Sequence, residues 1–378
     1  MGPLAGVKII EMKGIGPGPY AGQLMADLGA EIIVVERASK PNSIAPPSAM
    51  DVNSRGKKSI ALDLRKPEGL EVLLKLVESA DVIFEGNRPG VAEKLGFGPD
   101  VCMARNPKII FGRMTGWGQT GTLAHSAGHD YNYISLTGAA AAVGTKDQPL
   151  PPLNVVGDYA GGSLFLVVGI LSALLEVQKS GKGQVIDSAI TDGSAHLMSM
   201  FYTMSKLGAW NTNRESNMLD GGVPYYCAYE TADGKHVSVG PIEPQFFAEM
   251  VQKAGMPESF IQDQNNPAKW GEIKATMVET FKSKTRDEWV EIFEGSDACV
   301  AGILDFKEAV DHPHNKSRET YIDVNGEMQP APAPRFSRTE CAVPAAPSAE
   351  GADTKAVLAD WGFEGSAIEA LDQAGILT

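Results

Sequence analysis

Basic residues are in deficit in this chain. It carries 33 Lys and Arg against 47 Asp and Glu, a formal charge of −14. A nucleic-acid surface needs concentrated cations to neutralise phosphates, so nucleic acid is set aside as a partner. An anionic small ligand would need a local basic patch inside this acidic field. Cysteine is scarce too. The four residues Cys102, Cys227, Cys299 and Cys341 form no CxxC pair and no His-rich cluster. Neither a zinc centre, nor any other metal site, nor a disulfide scaffold is expected, and a reducing compartment fits better. Long apolar runs are missing as well: Leu164–Leu175 falls short of the roughly 20 residues of a membrane span. The opening Met-Gly-Pro-Leu-Ala-Gly has no basic stretch and no apolar core of a signal peptide. Its sixth position is not the Ser or Thr of a myristoylation site, and the closing Gly-Ile-Leu-Thr is not a peroxisomal tripeptide. A cytoplasmic protein is the expectation.

What is present suits a globular enzyme. Apolar residues make up 43% and charged residues 21% of 378 positions, enough for two modest domains or one large one. The first third alternates strand and helix. Val7–Glu11 reads as a buried strand, Tyr20–Leu28 as a helix and Glu31–Glu36 as the next strand, which makes a right-handed βαβ unit with parallel strands. Ser59–Leu64, Val82–Glu85 and Lys108–Arg113 continue the strands. Over Gly69–Ser79, Leu70, Val72, Leu73, Leu76 and Val77 share one helical face. The pattern predicts an α/β, Rossmann-like open parallel sheet covered by helices. Gly161–Gln178 reads as a buried helix, Gln184–Ile190 as a strand and Asp192–Leu207 as one Met-rich helix. From about Asn211 the texture shifts to a smaller α+β domain. Its strands Tyr225–Glu230 and His236–Val239 flank an Ala-Asp-Gly turn, and helices follow at 245–254, 268–283 and 286–294. The expected boundaries are 1–188 for the large domain, completed by 330–378, then a linker helix region 189–222, a small domain 223–312 and a return linker 313–329. Pro330–Pro334 is a stiff return segment and 342–352 a Pro/Ala/Gly linker. Thr354–Trp361 and Ser366–Gln373 read as short helices, with Gly375 as a cap.

A turn rich in Gly and Pro follows the first strand, Gly14-Ile15-Gly16-Pro17-Gly18-Pro19. A dinucleotide fingerprint would need a third glycine where Pro19 stands, so the reading is a tight turn that lets a ligand approach closely, not an NAD site.

Several segments together resemble the class III CoA-transferase superfamily, most closely its α-methylacyl-CoA racemase branch. They are Gly-Ile-Gly-Pro-Gly-Pro (14–19), Ala-Asp-Leu-Gly-Ala-Glu-Ile-Ile-Val-Val-Glu-Arg (26–37), Asn-Ser-Arg-Gly-Lys-Lys-Ser-Ile-Ala-Leu-Asp-Leu (53–64) and Asn-Arg-Pro-Gly-Val (87–91). Further along stand Arg-Met-Thr-Gly-Trp-Gly-Gln-Thr-Gly (113–121), Gly-His-Asp-Tyr-Asn-Tyr (128–133) and Gly-Asp-Tyr-Ala-Gly-Gly (157–162). Gly-Lys-Gly-Gln-Val-Ile-Asp (181–187), Ile-Glu-Pro-Gln-Phe (242–246) and Pro-Ala-Pro-Arg-Phe-Ser (332–337) complete the series. Each segment is weak alone; their order over nearly the whole chain makes the set specific. The resemblance implies an interlocked homodimer, with the active site near the subunit interface and an acyl-CoA as substrate. No separate cofactor is expected, because coenzyme A enters as part of the substrate.

Racemisation beside a thioester needs two acid/base groups on opposite faces of a planar enolate, each worth roughly 10²- to 10⁴-fold in rate. A lone histidine more often packs or caps a turn, but the motif around His129 favours its use as one of the two. Asp158 reads by itself as an N-cap or first-turn aspartate ahead of the apolar helix. By resemblance it is the acid/base opposite His129, and in the transferase branch it is the nucleophile. Free amides at that helix start are expected to hold the enolate oxygen. Glu243 could be a plain surface glutamate beside a proline. The resemblance makes it the residue that orients His129 of the other subunit, as the third member of a triad does. His125 is left aside. The resemblance lays coenzyme A along Arg37, Leu62, Asp63, Leu64, Arg65 and Arg88, with Gly128, Asp130, Tyr131, Asn132 and Tyr133 at the pantetheine end; Asp130 could also assist His129. The two planar, permanently charged guanidiniums of Arg37 and Arg88 suit phosphate. Met218 and the methionines of 198–204 could line a flexible acyl pocket, but at helical spacing they read as core. Three functions stand side by side: a 2-methylacyl-CoA racemase, a CoA-transferase with Asp158 as nucleophile, and a non-catalytic acyl-CoA-binding protein.

Overall fold

A computed structural model describes residues 2–37 and 46–377. In chain order the elements begin with Lys8–Met12 (β1), Pro17–Asp27 (α1), Glu31–Glu36 (β2), Lys58–Ala61 (β3), Pro67–Val77 (α2), Val82–Glu85 (β4), Val91–Leu95 (α3), Pro99–Arg105 (α4) and Ile110–Thr115 (β5). Asp130–Ile134 (α5), Ala139–Ala142 (α6), a π-helical turn over Val155–Ser163, Leu164–Ser180 (α7), Val185–Ala189 (β6), Ile190–Leu197 (α8) and Ser199–Lys206 (α9) follow. Then come Cys227–Glu230 (β7), His236–Val239 (β8), Pro244–Lys253 (α10), Trp270–Lys282 (α11), Arg286–Phe293 (α12), Val300–Gly302 (β9), Phe306–Asp311 (α13) and Pro313–Ser317 (α14). The chain closes with Tyr321–Val324 (β10), Glu327–Pro330 (β11), Thr354–Asp360 (α15) and Gly365–Gln373 (α16). Prolines at the starts of α1, α2, α4 and α10 sit where a helix can spare an N–H.

The contacts divide the chain into two units. The first comprises residues 1–137, 152–198 and 316–378; the second, 138–151 and 199–315. The first unit thus extends to Met198 and takes the return segment from Lys316, where the sequence suggested 188 and 330.

The first unit holds a six-stranded sheet in the order β3-β2-β1-β4-β5-β6, all parallel. Helices cover both faces, which is why the strands read as unbroken apolar runs. On one side Ile10, Ile33, Ile60, Ile83 and Phe111 pack against Leu73 and Leu76 of α2 and Val357 and Leu358 of α15. On the other, Ile9, Ile32, Phe84 and Ile110 meet Met25 of α1 and Leu166 and Ile170 of α7. Strand order reverses between β1 and β4, and a parallel sheet offers its ligand crevice at such a reversal, beyond the carboxyl ends of the strands.

Buried charges tie this unit together. Arg55 is 1% exposed and grips Asp27 of α1 with Nε–Oδ1 3.1 Å and a second contact of 2.6 Å. It also donates to the Pro330 carbonyl at 2.7 Å, fastening the return segment to the N-terminal half. Lys57 Nζ meets Glu11 at 2.6 Å and donates to the Pro19 carbonyl at 2.8 Å, so one buried pair anchors the glycine-proline turn. Burial pushes the Glu11 carboxyl up and the Lys57 ammonium down, each restrained by the other's charge. A side chain at Gly22 would strike this pair, its Cβ lying 2.0 Å from Glu11 Oε2.

Several sequence expectations are corrected. The single helix over Asp192–Leu207 is two, α8 and α9, parted at Met198. The 342–352 stretch is no free linker: Gly56 N–H donates to the Ala345 carbonyl, Ser48 N–H to Glu350, and Gly351 N–H to Ser59 Oγ. Within the expected return linker, β10 and β11 form a hairpin around Asn325 and Gly326, both at positive φ. The apolar helix is also longer than the sequence run suggested. Val155–Ser180 spans 26 residues, and its most apolar 18-residue stretch has mean hydropathy 2.0, long and apolar enough by composition to cross a membrane. Its Leu166, Val167, Ile170 and Ala173 are buried in the first unit, the behaviour of a sheet-covering helix.

The second unit is built on an antiparallel sheet in the order β7-β8-β9. Its core joins Tyr229, Val237, Phe247, Met250, Phe281 and Trp289.

Truncating one member of a buried pair strands the other, which costs about 3–5 kcal/mol. Arg55→Ala is therefore expected to lower unfolding stability by that order in urea titrations. The double variant Arg55→Met, Asp27→Leu should recover most of the loss. If the double variant is as unstable as the single, the pair is not what holds the segment.

Candidate active site

The carboxyl ends of the parallel strands gather most of the residues singled out from sequence. Arg37 follows β2 directly, Leu62 to Arg65 follow β3, Arg88 follows β4, and Gly128 to Tyr133 belong to the stretch after β5. The Gly14–Pro19 turn lies beyond β1, so it and the Arg88 loop flank the strand-order reversal.

His129 is the N-cap residue of α5, with extended backbone at φ −132 and ψ 174. Its N–H donates to Asn132 Oδ1 at 3.0 Å, so Asn132 closes the turn from inside the helix and the imidazole stands exposed. Asp158 lies inside the π turn that opens the long apolar helix, not ahead of the helix. π turns are rare and recur at functional sites. Three contacts fix this residue. Its N–H donates to Asp130 Oδ1 at 2.6 Å. Its carbonyl accepts from Ser163 Oγ at 3.0 Å, and the same hydroxyl lies 2.7 Å from the Pro17 carbonyl. Its carboxylate rests against Gly16, where a Cβ would come within 2.8 Å of Oδ2 and where φ is +68. Only glycine suits both the conformation and the space.

The electrostatics set this carboxyl apart. Burial first, then the charge of Asp130, pushes Asp158 up to about 6, while a hydrogen bond from Asn154 and the charge of His129 pull the other way. His129 and Asp158 are therefore electrostatically coupled. Asp130 is itself raised by burial and drawn back by the Asp158 N–H. Tyr133 is raised by burial and by the Asp158 charge, and drawn down by Arg88, which puts the Arg88 loop within electrostatic reach of α5. The Tyr133 hydroxyl donates to the Gly128 carbonyl, and its ring meets Trp117 edge-on at 4.8 Å. Gly116 and Gly128 leave room for that ring, since a Cβ on either would strike Tyr133 Cε1, at 2.0 and 2.7 Å.

Some expectations fare differently. Leu62 is 1% exposed and belongs to the core, so its side chain is not open to a ligand. Asp63 and Arg65 pair with each other at 2.9 and 3.1 Å, which engages the Arg65 guanidinium. Arg37 and Arg88 are exposed. The Asp158 amide, expected to be free for an enolate oxygen, is spent on Asp130. Asp130 and Tyr131 open α5, so their own N–H groups have no acceptor within that helix. Glu243 lies in the second unit, exposed, as the N-cap residue of α10, and Gln264 Nε2 steadies its loop through the Pro241 and Ile242 carbonyls at 3.1 and 2.8 Å. Met218 lines an open hollow of about 360 Å³ in that unit, with Trp210, Tyr225 and Trp270. Sequence reasoning missed Asn154, Ser163 and Trp117; a serine after Gly161-Gly162 at the head of an apolar helix was the available signal for Ser163. Among the described residues no group of three or more His, Cys, Asp or Glu could hold a metal ion.

The model of CoA-transferase family III matches residues 4–354. The chain is 42% identical to mouse alpha-methylacyl-CoA racemase over 368 residues, 95% of this chain and 93% of that protein. It is 39% identical to the human protein of that name over 383 residues, 99% and 97% of the two chains. Among solved structures, a CAIB/BAIF family protein from Brucella suis superposes with a TM-score of 0.82 at 25% identity, covering 95% of this chain and 99% of that one.

A carboxyl raised above its unfolded value binds more protons folded than unfolded, so its ionisation costs stability as pH rises from the ordinary carboxyl range toward 6. Asp158→Asn removes that cost. Its thermal midpoint should exceed wild type at pH 7, and the advantage should vanish below about pH 4, near the unfolded value of Asp. Equal midpoints at pH 7 would show that the buried carboxylate carries no such penalty.

Proposed function

We propose that this chain, which belongs to CoA-transferase family III, interconverts (R)- and (S)-2-methylacyl-CoA thioesters by moving one proton off and back onto the carbon beside the thioester. The observation that carries this reading is the pair itself: a half-buried carboxyl, pushed up to about 6, that the charge of an exposed imidazole reaches. The 39–42% identity to proteins named alpha-methylacyl-CoA racemase, over nearly the full chain, supports it.

In this reading the acyl-CoA lies across the carboxyl edge of the sheet. His129 and Asp158 face the two sides of the α-carbon; one takes the proton while the other returns one to the opposite face. The planar enolate between the two steps is stabilised at its oxygen by the first N–H groups of α5, those of Asp130 and Tyr131, where the helix dipole also favours negative charge. Arg37 and Arg88 hold the phosphates of coenzyme A. Glu243 of a second copy orients the His129 imidazole. A homodimer suits the apolar surface that the described helices leave uncovered: Leu164 is 42% exposed, Val168 60% and Leu175 60% along α7.

Transfer of coenzyme A between acids would use Asp158 as a nucleophile and form a covalent anhydride. A carboxyl whose environment penalises its charge is better suited to carrying a proton than to attacking as an anion. Incubating one diastereomer of a 2-methylacyl-CoA in D₂O without any acceptor acid separates the two. Epimerisation with α-deuterium uptake is expected. Transfer to an added acid without exchange would replace the proposal with the transferase, and inactivity in both assays would leave an acyl-CoA-binding protein. His129→Ala should lose about 10²- to 10⁴-fold in exchange rate while binding the ester nearly as well.

A further inference from the structure

The His129–Asp158 pair has a charged neighbour that moving a proton does not by itself require. Asp130 follows His129 directly, and its carboxylate accepts the Asp158 N–H at 2.6 Å. One residue thus bonds the turn that carries one proton carrier while sitting next in sequence to the other. The approach is close on every side: a Cβ on Gly157 would fall 2.2 Å from Asp130 Oδ1, so the glycine before Asp158 is what admits the carboxylate. A neutral acceptor would satisfy that amide equally well. Two carboxylates in one half-buried site repel, which is a cost unless the repulsion has a use.

The groups around Asp158 are few. From α5 they are His129, Asp130 and Tyr133, with Arg88 reaching Tyr133 from the loop after β4. From α1 comes Tyr20, stacked on Tyr159 at 4.3 Å, while Asp27 is taken by Arg55. On α8 lie Asp192 and His196, both exposed, with His196 edge-on to Phe165. On β5, Arg113 is engaged by Glu85 and Glu93, and on β6, Asp187 accepts from the Gln119 N–H. Residues of α7 near the turn carry no charge before Glu176. Asp130 is the negative charge bonded directly to the turn.

We propose that Asp130 is a positioning residue for proton exchange: bonded to the Asp158 backbone, it fixes a negative charge beside the Asp158 carboxyl and keeps that carboxyl able to carry the proton. The inference rests on the reading of the pair given above. Two groups that share one proton alternate between two forms of the free enzyme, one ready for each hand of substrate. Each unit by which their affinities for the proton separate depopulates the minor form tenfold. An ordinary aspartate beside an imidazole would leave the proton almost wholly on the ring. The fixed charge of Asp130 raises the affinity of the Asp158 carboxyl for that proton.

Asp130→Asn is the test, because it keeps an oxygen acceptor for the Asp158 N–H and removes the charge. In profiles of kcat/KM against pH for epimerisation, the acid limb should move down by about half to one pH unit, with the basic limb in place. A merely structural role would lower the rate at all pH values and leave the limb where it is, and that result overturns the proposal. Infrared difference spectra of ¹³C-aspartate-labelled protein, each with and without Asp158→Asn, read the Asp158 protonation directly and need no catalysis. Its midpoint should fall in Asp130→Asn; an unmoved midpoint refutes the inference even if the chain proves not to be a racemase. Absence of epimerisation in wild type together with a shifted infrared midpoint would reject the reaction and keep the electrostatic role. Should Asp130→Asn fail to fold, Asp130→Ser, smaller and also an acceptor, serves the same comparison.

Discussion

The hydrogen bond from the Asp158 N–H to the Asp130 carboxylate is the constraint on which the site depends. It joins two pieces of chain separated by 28 positions, a short helix whose N-cap is His129 and a π turn that opens the long apolar helix. Neither piece would hold its place alone. A five-residue helix is too short to be stable in isolation, and a π turn has poorer geometry than the α-helix it interrupts. Tertiary contacts must supply what local structure lacks. Ser163 bonds the Asp158 carbonyl, Gly16 admits its carboxylate, and the turn packs closely on α8, where a Cβ on Gly193 would fall 1.9 Å from the Gly161 carbonyl oxygen.

Those contacts are in turn carried by the buried charge pairs of the sheet. Lys57 holds the Pro19 carbonyl and Glu11 together, and so sets the turn whose Pro17 carbonyl meets Ser163. Arg55 holds α1 and the return segment at once. Such pairs add little net stability compared with an apolar core, because burial penalises both charges. What they supply is direction: a lysine pinned between a carboxylate and a carbonyl leaves the turn one conformation. The chain thus accepts a cost in its interior and gains a defined position for one carboxyl.

Much of the large unit was legible in sequence because both faces of a parallel sheet are covered. Ile9 and Ile10, Ile32 to Val35, and Ile83 with Phe84 are consecutive apolar residues, and such runs bounded by Gly and Pro read as strands. The places where reading failed have physical reasons. The π turn carries Gly157, Gly161 and Gly162, and glycines signal a loop unless the packing that needs their missing side chains is known. Asp192–Leu207 keeps helical spacing throughout, so nothing local announces the break at Met198. The return stretch from 342 reads as a linker by composition, yet its backbone bonds to Gly56 just ahead of β3 and to Ser59 within it. Asn325-Gly326 is a strong hairpin signal, but the strands it joins, four residues each, are too short to show in the pattern. For the site, the motifs brought out His129 and Asp158, but not the contact between Asp130 and the Asp158 amide, which spacing along the chain cannot reveal.

The acidic surplus of the chain makes sense beside this arrangement. The proposed acyl-CoA, with its several phosphates, would meet a protein of charge −14, and only local cations can offset that field. Arg37 and Arg88 stand exposed at the ends of β2 and β4, while Arg55, Arg113 and Lys57 are consumed by internal carboxylates. Arg65 is held by Asp63, an exposed pair that a phosphate could compete for at small cost, since surface ion pairs contribute little. Positive charge is therefore divided: the buried cations are engaged by internal carboxylates, while Arg37 and Arg88 stay exposed, as the proposed hold on the phosphates of coenzyme A requires. Among the described residues no ion pair engages Asp130 or Asp158, and burial first, then the charge of Asp130, raises the Asp158 carboxyl to about 6 against the pull of Asn154 and His129.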